Sequence, residues 1–299
     1  MTTTEPPAIR IHEDIDLFRE AVNLTAAETK FAARLIEKDY FCTVLLAHFG
    51  AAVGEELVFK GGTCLAKVHA DFYRLSEDLD FVISVATDAS RPERRKRVQP
   101  VKAVITMLQG RIFGVSVIEP FIGANNSTQY IGVLAYESVL TSDPGTIKIE
   151  VSLREPLLMP AVNETARTIL IDPISHQPMV PPLPVHCISK MEAFAEKFRA
   201  ALTRREPAIR DFYDIDYAVR KLALNPREQE MVQMVSQKLA VPGNEAVDVS
   251  NERLAALQKQ VEPQLKPVLR EVDFNEFDLE RAFQIVAEIA KTIFERDAH

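Results

Sequence analysis

No stretch of this chain approaches the roughly 18 consecutive apolar residues that a bilayer-crossing helix requires. Its opening residues, Met1 through Pro7, lack the basic and apolar regions of a signal peptide. Cysteine is scarce, and Cys42, Cys64 and Cys187 occur singly with no Cys-x-x-Cys pair. An odd, sparse set of thiols fits a reducing cytosol and argues against structural zinc. The histidines, His12, His48, His69, His176, His186 and His299, show no metal-ligand spacing, and His48 and His69 read as helix or core residues rather than catalysts. There is no Gly-x-Ser-x-Gly elbow and no Walker A lysine motif, and no internal repeat or low-complexity tract. These absences predict a cytoplasmic protein with no membrane association.

What is present is a globular composition, 47% apolar and 26% charged, over 299 residues, enough for one large or two ordinary domains. A net charge of −8 counts against a general nucleic-acid coat but not against an enzyme that processes RNA, because local sign decides. Positive charge gathers at Arg91, Arg94, Arg95, Lys96, Arg97 and Lys102, and again at Lys197, Arg199, Arg204, Arg205 and Arg210. Either group can meet phosphates; the first is equally well read as a solvated helix face.

The first fifty residues read as helix, with Leu17, Phe18, Ala21 and Val22 at helical spacing and Thr25 to Glu28 as a capping box for the next helix. Leu57-Val58-Phe59 is a short buried strand running into Gly61-Gly62, and Thr63 to about Tyr73 suits a helix. Residues 92–109 look helical, while 115–122, 129–136 and 146–153 look like strands, with a turn at 142–145. Between Asp172 and Pro184 the prolines are too dense for helix or central strand, which puts a domain boundary there. The expected division is a catalytic domain over 1–180 and a helical one over 185–299, with helix breaks near Asn225-Pro226, Pro242-Gly243 and Pro263.

The most informative feature is Lys60-Gly61-Gly62-Thr63 followed by Ser76-Glu77-Asp78-Leu79-Asp80-Phe81. Alternate side chains of a strand share a face, so Asp78 and Asp80 point the same way, roughly 7 Å apart along the backbone. Like charges that close raise each other's pKa unless a cation lies between them, and a divalent ion arriving with a nucleoside triphosphate is the natural occupant. Gly61 and Gly62 let the backbone approach a triphosphate closely, and the following amides can cradle its oxygens. Thr63 either adds a hydroxyl to that cradle or is a plain N-cap. The competing reading is a surface hairpin with two solvated carboxylates. A third carboxylate is available in Ile147-Lys148-Ile149-Glu150-Val151-Ser152-Leu153, where alternation buries the odd positions and leaves Lys148 and Glu150 on the other face. If that strand lies beside the Asp strand, Glu150 completes the cluster and Lys148 is at hand for a phosphate. Otherwise it is an amphipathic edge strand. Farther on, Lys197 and Arg204 lie two helical turns apart on one face, placed to clamp a triphosphate, while Arg210 and Asp214 are spaced for an ordinary helix-surface ion pair. Glu37-Lys38-Asp39-Tyr40, read alone, passes for surface charge.

Taken together, Glu37 to Tyr40, Lys60 to Thr63, Arg74 to Asp80, Lys148 with Glu150, and Ala195 to Asp214 resemble the AbiEii/AbiGii toxin family of nucleotidyltransferases, in order over about residues 37–217. The resemblance implies an α+β architecture: a DNA polymerase β-like nucleotidyltransferase domain with a mixed sheet, followed by an α-helical C-terminal domain. It implies Mg²⁺ (or Mn²⁺) held by Asp78, Asp80 and Glu150, and an NTP as substrate. The NTP would be met by Lys60, Gly61, Gly62, Thr63, Lys197, Arg204, Arg210 and Asp211, with Lys148 beside the acids. It further implies an RNA acceptor such as the tRNA 3′ end, a cognate antitoxin, and a part in abortive infection. Glu150 stands where many nucleotidyltransferases have Asp, one methylene shorter. The last eighty residues carry no matching motif.

Overall fold

The computed structural model of the chain describes residues 9–108 and 110–297, so Met1 to Pro7, the expected helix end at Gln109, and His299 lie outside the described residues. The chain forms two compact units, one running to Ile188 and the other starting at Ser189.

The first unit begins with α1 (Ile15–Thr29), capped by Asp14 accepting from the Leu17 amide, and α2 (Ala33–Val53). The expected capping box at Thr25 does not exist. Thr25 sits inside α1, its hydroxyl donating to the Ala21 carbonyl at 2.7 Å and accepting from the Ile171 amide at 2.9 Å. A hydroxyl satisfied on both sides in mid-helix has nothing left for capping, and α1 ends instead at Lys30 in the left-handed region.

The sheet has strands β1 (Val58–Lys60), β2 (Leu79–Val82), β3 (Val115–Ala124), β4 (Gln129–Tyr136), β5 (Gly145–Ser152), β6 (Val162–Ala166) and β7 (Leu183–Cys187), in the order β3-β4-β5-β2-β1-β7-β6. It is mixed: β2 with β5 and β1 with β7 are parallel, the other neighbours antiparallel. The α+β class is therefore the observed one. Ile147, Ile149 and Val151 are buried, as strand alternation requires, and Lys148 and Glu150 take the opposite, part-exposed face.

Three local expectations need correction. The helix after the glycines is short: α3 (Gly61–Cys64) passes into one π turn, Leu65–His69, and stops. Residues 91–108 form two helices, α4 (Arg91–Arg97) and α5 (Gln99–Leu108), because Pro100 has no amide to continue the ladder. Pro184 lies within β7, although β7 has neighbours on both sides. The pairing of β7 with β1 is confined to Phe59↔Cys187, so Pro184 sits beyond the end of β1 and costs no hydrogen bond there.

The second unit is helical: α6 (Lys190–Thr203), α7 (Ile209–Lys221), α8 (Gln229–Leu239), α9 (Asn251–Gln258), α10 (Glu271–Glu276) and α11 (Leu279–Asp297). Ser189 caps α6 through the Glu192 amide. Phe194, Phe198, Phe212, Met231, Val235 and Val286 are buried in its core. Asn225-Pro226 and Pro242-Gly243 fall in the connections after α7 and α8, while Pro263 lies inside a π turn, Val261–Leu265.

Candidate functional site

Three strands put their chemistry at one level of the sheet. Lys60 on β1 faces Asp80 on β2 in antiparallel register, and Asp80 faces Glu150 on β5 in parallel register. Residues paired in register point to the same face, so Lys60, Asp80 and Glu150 form a row across the sheet. Asp78 lies just ahead of β2. Its position relative to the row is set by Lys148, whose ammonium is 3.9 Å from Asp78 Oδ2 and 3.4 Å from Glu150 Oε2. Glu150 is held from its other oxygen by Gln129 Nε2 at 2.8 Å, a partner with no distinguishing motif in the chain.

The glycine turn is built around this row. Gly61 has φ of 78°, in the left-handed region, and an added Cβ would land on the Asp80 carboxylate. At Gly62 an added Cβ would stand 2.7 Å from Nη2 of the buried Arg74 and 2.8 Å from Ser76 Oγ. Glycine is thus required at both positions by close approach to the Arg74–Asp80 segment. Thr63 neither caps α3 nor keeps its proton free; its hydroxyl donates to the Asp78 carbonyl and pins the turn to the acidic segment.

The electrostatics follow from this crowding. Burial and the neighbouring Glu150 charge push the Asp80 carboxyl up to about 6, with Asp78 adding to the shift and Lys60 and Lys148 opposing it. Burial works against the charge on Lys148, but Glu150, Asp78 and Asp80 together raise its pKa above the ordinary lysine value. Three carboxylates against two ammonium groups leave an excess of negative charge, a donor set of oxygens suited to a hard divalent cation.

The early Glu37-Lys38-Asp39-Tyr40 segment is not surface charge. Glu37 is buried and accepts from Ser138 Oγ at 2.8 Å and the Val139 amide at 2.7 Å, anchoring the chain that leaves β4. Asp39 and Lys67 form a fully buried ion pair at 2.7 Å, with Thr43 Oγ1 also accepting from Lys67 at 2.8 Å. Lys38 and Arg34 both reach Glu77, at 3.6 and 3.5 Å, next to Asp78. Nor are the cysteines isolated in space: Cys64 and Cys187 come together with His69. In the first basic cluster Arg94 is buried, donating to the Leu153 and Thr87 carbonyls at 3.1 Å, whereas Arg91, Arg95 and Lys96 are exposed.

In the second unit Lys197 and Arg204 converge on one acid. Lys197 Nζ lies 2.7 Å from Asp211 and 2.8 Å from the buried Asp214, and Arg204 Nη1 is 3.0 Å from the other Asp211 oxygen. Arg210 donates to the Gln264 carbonyl at 3.3 Å.

Known proteins share this architecture. The structure of MenT4, a nucleotidyltransferase toxin from Mycobacterium tuberculosis, matches with a TM-score of 0.53 at 16% identity, covering 92% of this chain and 98% of that one. JHP933 from Helicobacter pylori matches with a TM-score of 0.50 at 14% identity, covering 89% and 94%. At such identities the likeness is one of fold. In sequence, residues 44–288 match the family described as nucleotidyl transferase AbiEii toxin, type IV TA system. The chain belongs to that family and is a nucleotidyltransferase of the toxin–antitoxin kind. The matched range begins after Glu37 to Tyr40, so that segment's place in the family rests on the motif alone. Membership brings a nucleotide substrate and an antitoxin partner. No curated protein matches the chain in sequence. No helix among the described residues is long and apolar enough to cross a membrane.

Proposed function

We propose that this enzyme transfers a nucleoside monophosphate from an NTP to a hydroxyl of an RNA acceptor, with the tRNA 3′ end as the acceptor. Translation would thereby stop, in the cytoplasm, in the service of abortive infection, until the cognate antitoxin restrains the enzyme. The observation that carries the nucleotidyl-transfer part is the row Lys60–Asp80–Glu150 under the Gly61 turn. The RNA part is supported by the exposed Arg91, Arg95 and Lys96 and by the family resemblance. Cys42, Cys64 and Cys187 form no disulfide among the described residues, which accords with a reducing compartment.

Asp78, Asp80 and Glu150 are assigned to hold Mg²⁺ or Mn²⁺. An ion held there would supply the charge neutralisation that nucleotidyl transfer needs. The raised Asp80 pKa and the surplus of carboxylate oxygen support that assignment. Lys60, the amides of Gly61, Gly62 and Thr63, and Lys148 bind the triphosphate oxygens. In the second unit Lys197, Arg204 and Arg210 are assigned to phosphate oxygens, with Asp211 positioning Lys197 and Arg204. The acceptor hydroxyl attacks the α-phosphorus in line; the bond to the β-phosphate oxygen breaks and pyrophosphate leaves. Glu150 takes the hydroxyl proton at Oε2, while Gln129 holds Oε1 and keeps the carboxylate oriented.

Incubation with each α-labelled NTP, Mg²⁺ and total cellular RNA tests this. Label in RNA, migrating with tRNA, is expected. Label in protein or in a small molecule, or binding without transfer, would overturn the RNA assignment.

A further inference from the structure

Cys64 and His69, five residues apart, meet the distant Cys187 in a second cluster of the first unit that the nucleotidyl-transfer site does not use. Cys64 ends α3, His69 ends the π turn that follows, and Cys187 is the last residue of β7, paired in register with Phe59. One donor atom from each lies within 4.8 Å of the other two. Both cysteines are fully buried, and His69 is part-exposed. The imidazole is fixed from outside the cluster: Nε2 lies 3.0 Å from the Ile188 carbonyl. A carbonyl oxygen accepts only, so Nε2 is the donor there and Nδ1 is the nitrogen left to ligate a metal. That is the second interaction a metal-binding histidine characteristically makes. The π turn is also where such a site arises, since one extra residue per turn re-aims the side chain that follows.

We propose that Cys64, His69 and Cys187 bind one thiophilic metal ion, zinc(II) in its simplest form, as a site separate from the carboxylate cluster. Tetrahedral zinc with Zn–S of about 2.3 Å and Zn–N of about 2.0 Å needs donor separations of roughly 3.5–3.8 Å, so the cluster must contract by about 1.3 Å at most. Two thiols and one neutral imidazole are soft and borderline donors, which select zinc over the hard ions that suit three carboxylates. The metal takes both sulfurs as thiolates, any thiol proton going to solvent, with a fourth position open for water. The consequence is mechanical. Cys64 directly follows Thr63, so the ion fastens the glycine turn of the nucleotidyl-transfer site to β7.

Cobalt(II) titration of the reduced full-length chain separates this from metal bound at Asp78, Asp80 and Glu150. Only thiolate ligation gives sulfur-to-cobalt charge-transfer absorption in the near ultraviolet. One equivalent of cobalt producing that band, displaced by one equivalent of zinc and lost in Cys64→Ser and His69→Gln, is the expected result. Should a variant fail to fold, zinc-edge X-ray absorption of the zinc-loaded wild-type chain is expected to report two sulfurs at about 2.3 Å. An absent charge-transfer band in the reduced wild-type chain, a band unchanged in folded variants, or an all-oxygen zinc shell would overturn the proposal. Each of these outcomes leaves the nucleotidyl-transfer reading untouched.

Discussion

The helical second unit and the acidic row of the first treat carboxylates in opposite ways, although the first unit also holds a matched buried pair, Asp39 with Lys67. In the second, each deeply buried acid has its cation: Asp214 lies 2.8 Å from Lys197, Asp216 is clasped by Arg281 at 2.6 Å and Arg220 at 2.8 Å, and Glu192 is 2.7 Å from Lys238. In the first, Asp78, Asp80 and Glu150 crowd together with fewer positive charges than negative, and Asp80 is driven up to about 6 by burial and by Glu150. Buried acids with matched partners are fixed structure, because removing either partner strands the other. Acids held together without full compensation are a strained arrangement that a bound cation would relieve, and such strain persists where it serves function. On charge alone, the contrast marks the row of Asp78, Asp80 and Glu150 as the place where a cation would relieve the strain.

The sharpest way to break this distinction is to neutralise one acid on each side. Asp80→Asn removes a metal oxygen and is expected to lower transfer by about a thousandfold or more, equivalent to roughly 4 kcal/mol of barrier. The metal-free protein should melt no lower than wild type, because a repelled charge has gone. Full activity in that variant, measured as label transferred from NTP, would remove Asp80 from the site.

Lys197→Met tests the other side. It leaves Asp211 and Asp214 facing each other without their shared cation, and a broken buried pair typically costs about 3–5 kcal/mol. A large fall in the urea midpoint is expected, whereas Lys197→Arg should retain most of the stability. If Lys197→Met melts like wild type, the second unit's acids are not held by pairing, and the contrast between the units fails. The same experiment guards the phosphate assignment, since activity lost through unfolding says nothing about ligand contact.

Gly61→Ala acts between these extremes. The residue must take a left-handed conformation, which costs an L residue about 1–2 kcal/mol, and its Cβ would displace the Asp80 carboxylate. Transfer should fall steeply while the melting temperature falls by a few degrees. An active Gly61→Ala enzyme would mean that the turn need not approach Asp80.

Much of the site was legible in the sequence for one reason: strand alternation and glycine turns are local signals. Lys148 and Glu150 on one face, and the Gly61-Gly62 approach, follow from spacing that any strand or turn obeys. What spacing cannot reveal is which strands become neighbours. The parallel pairing of β2 with β5, which brings Glu150 beside Asp80, spans a helical segment and two further strands. The Asp39–Lys67 pair and the Cys64–His69–Cys187 cluster arise in the same way, from elements that meet only in the fold. Gln129 was invisible because a glutamine opening a strand has no distinctive pattern. Thr25 misled because Thr-x-x-Glu is as compatible with mid-helix back-bonding as with capping.

The smallest expected effect is the most diagnostic of the first unit's strain. The Asp80 carboxyl titrates at about 6 in the folded chain, above the value of about 3.9 for an unfolded aspartate. Between those values the folded state binds the extra proton, so stability falls as pH rises through the window and the penalty is complete above it. Chelated wild-type protein should gain stability as pH drops from 7 toward 5, beyond whatever gain Asp80→Asn shows over the same range. Added Mg²⁺ at pH 7 should erase the difference between the two proteins, because a cation favours the ionised carboxylate and pulls its pKa down. Paired urea titrations at pH 5 and 7, with and without the ion, decide the matter. Identical pH dependence in the two proteins would mean that the carboxylate cluster carries no strain, and with it the argument that its acids are poised for a metal would fall.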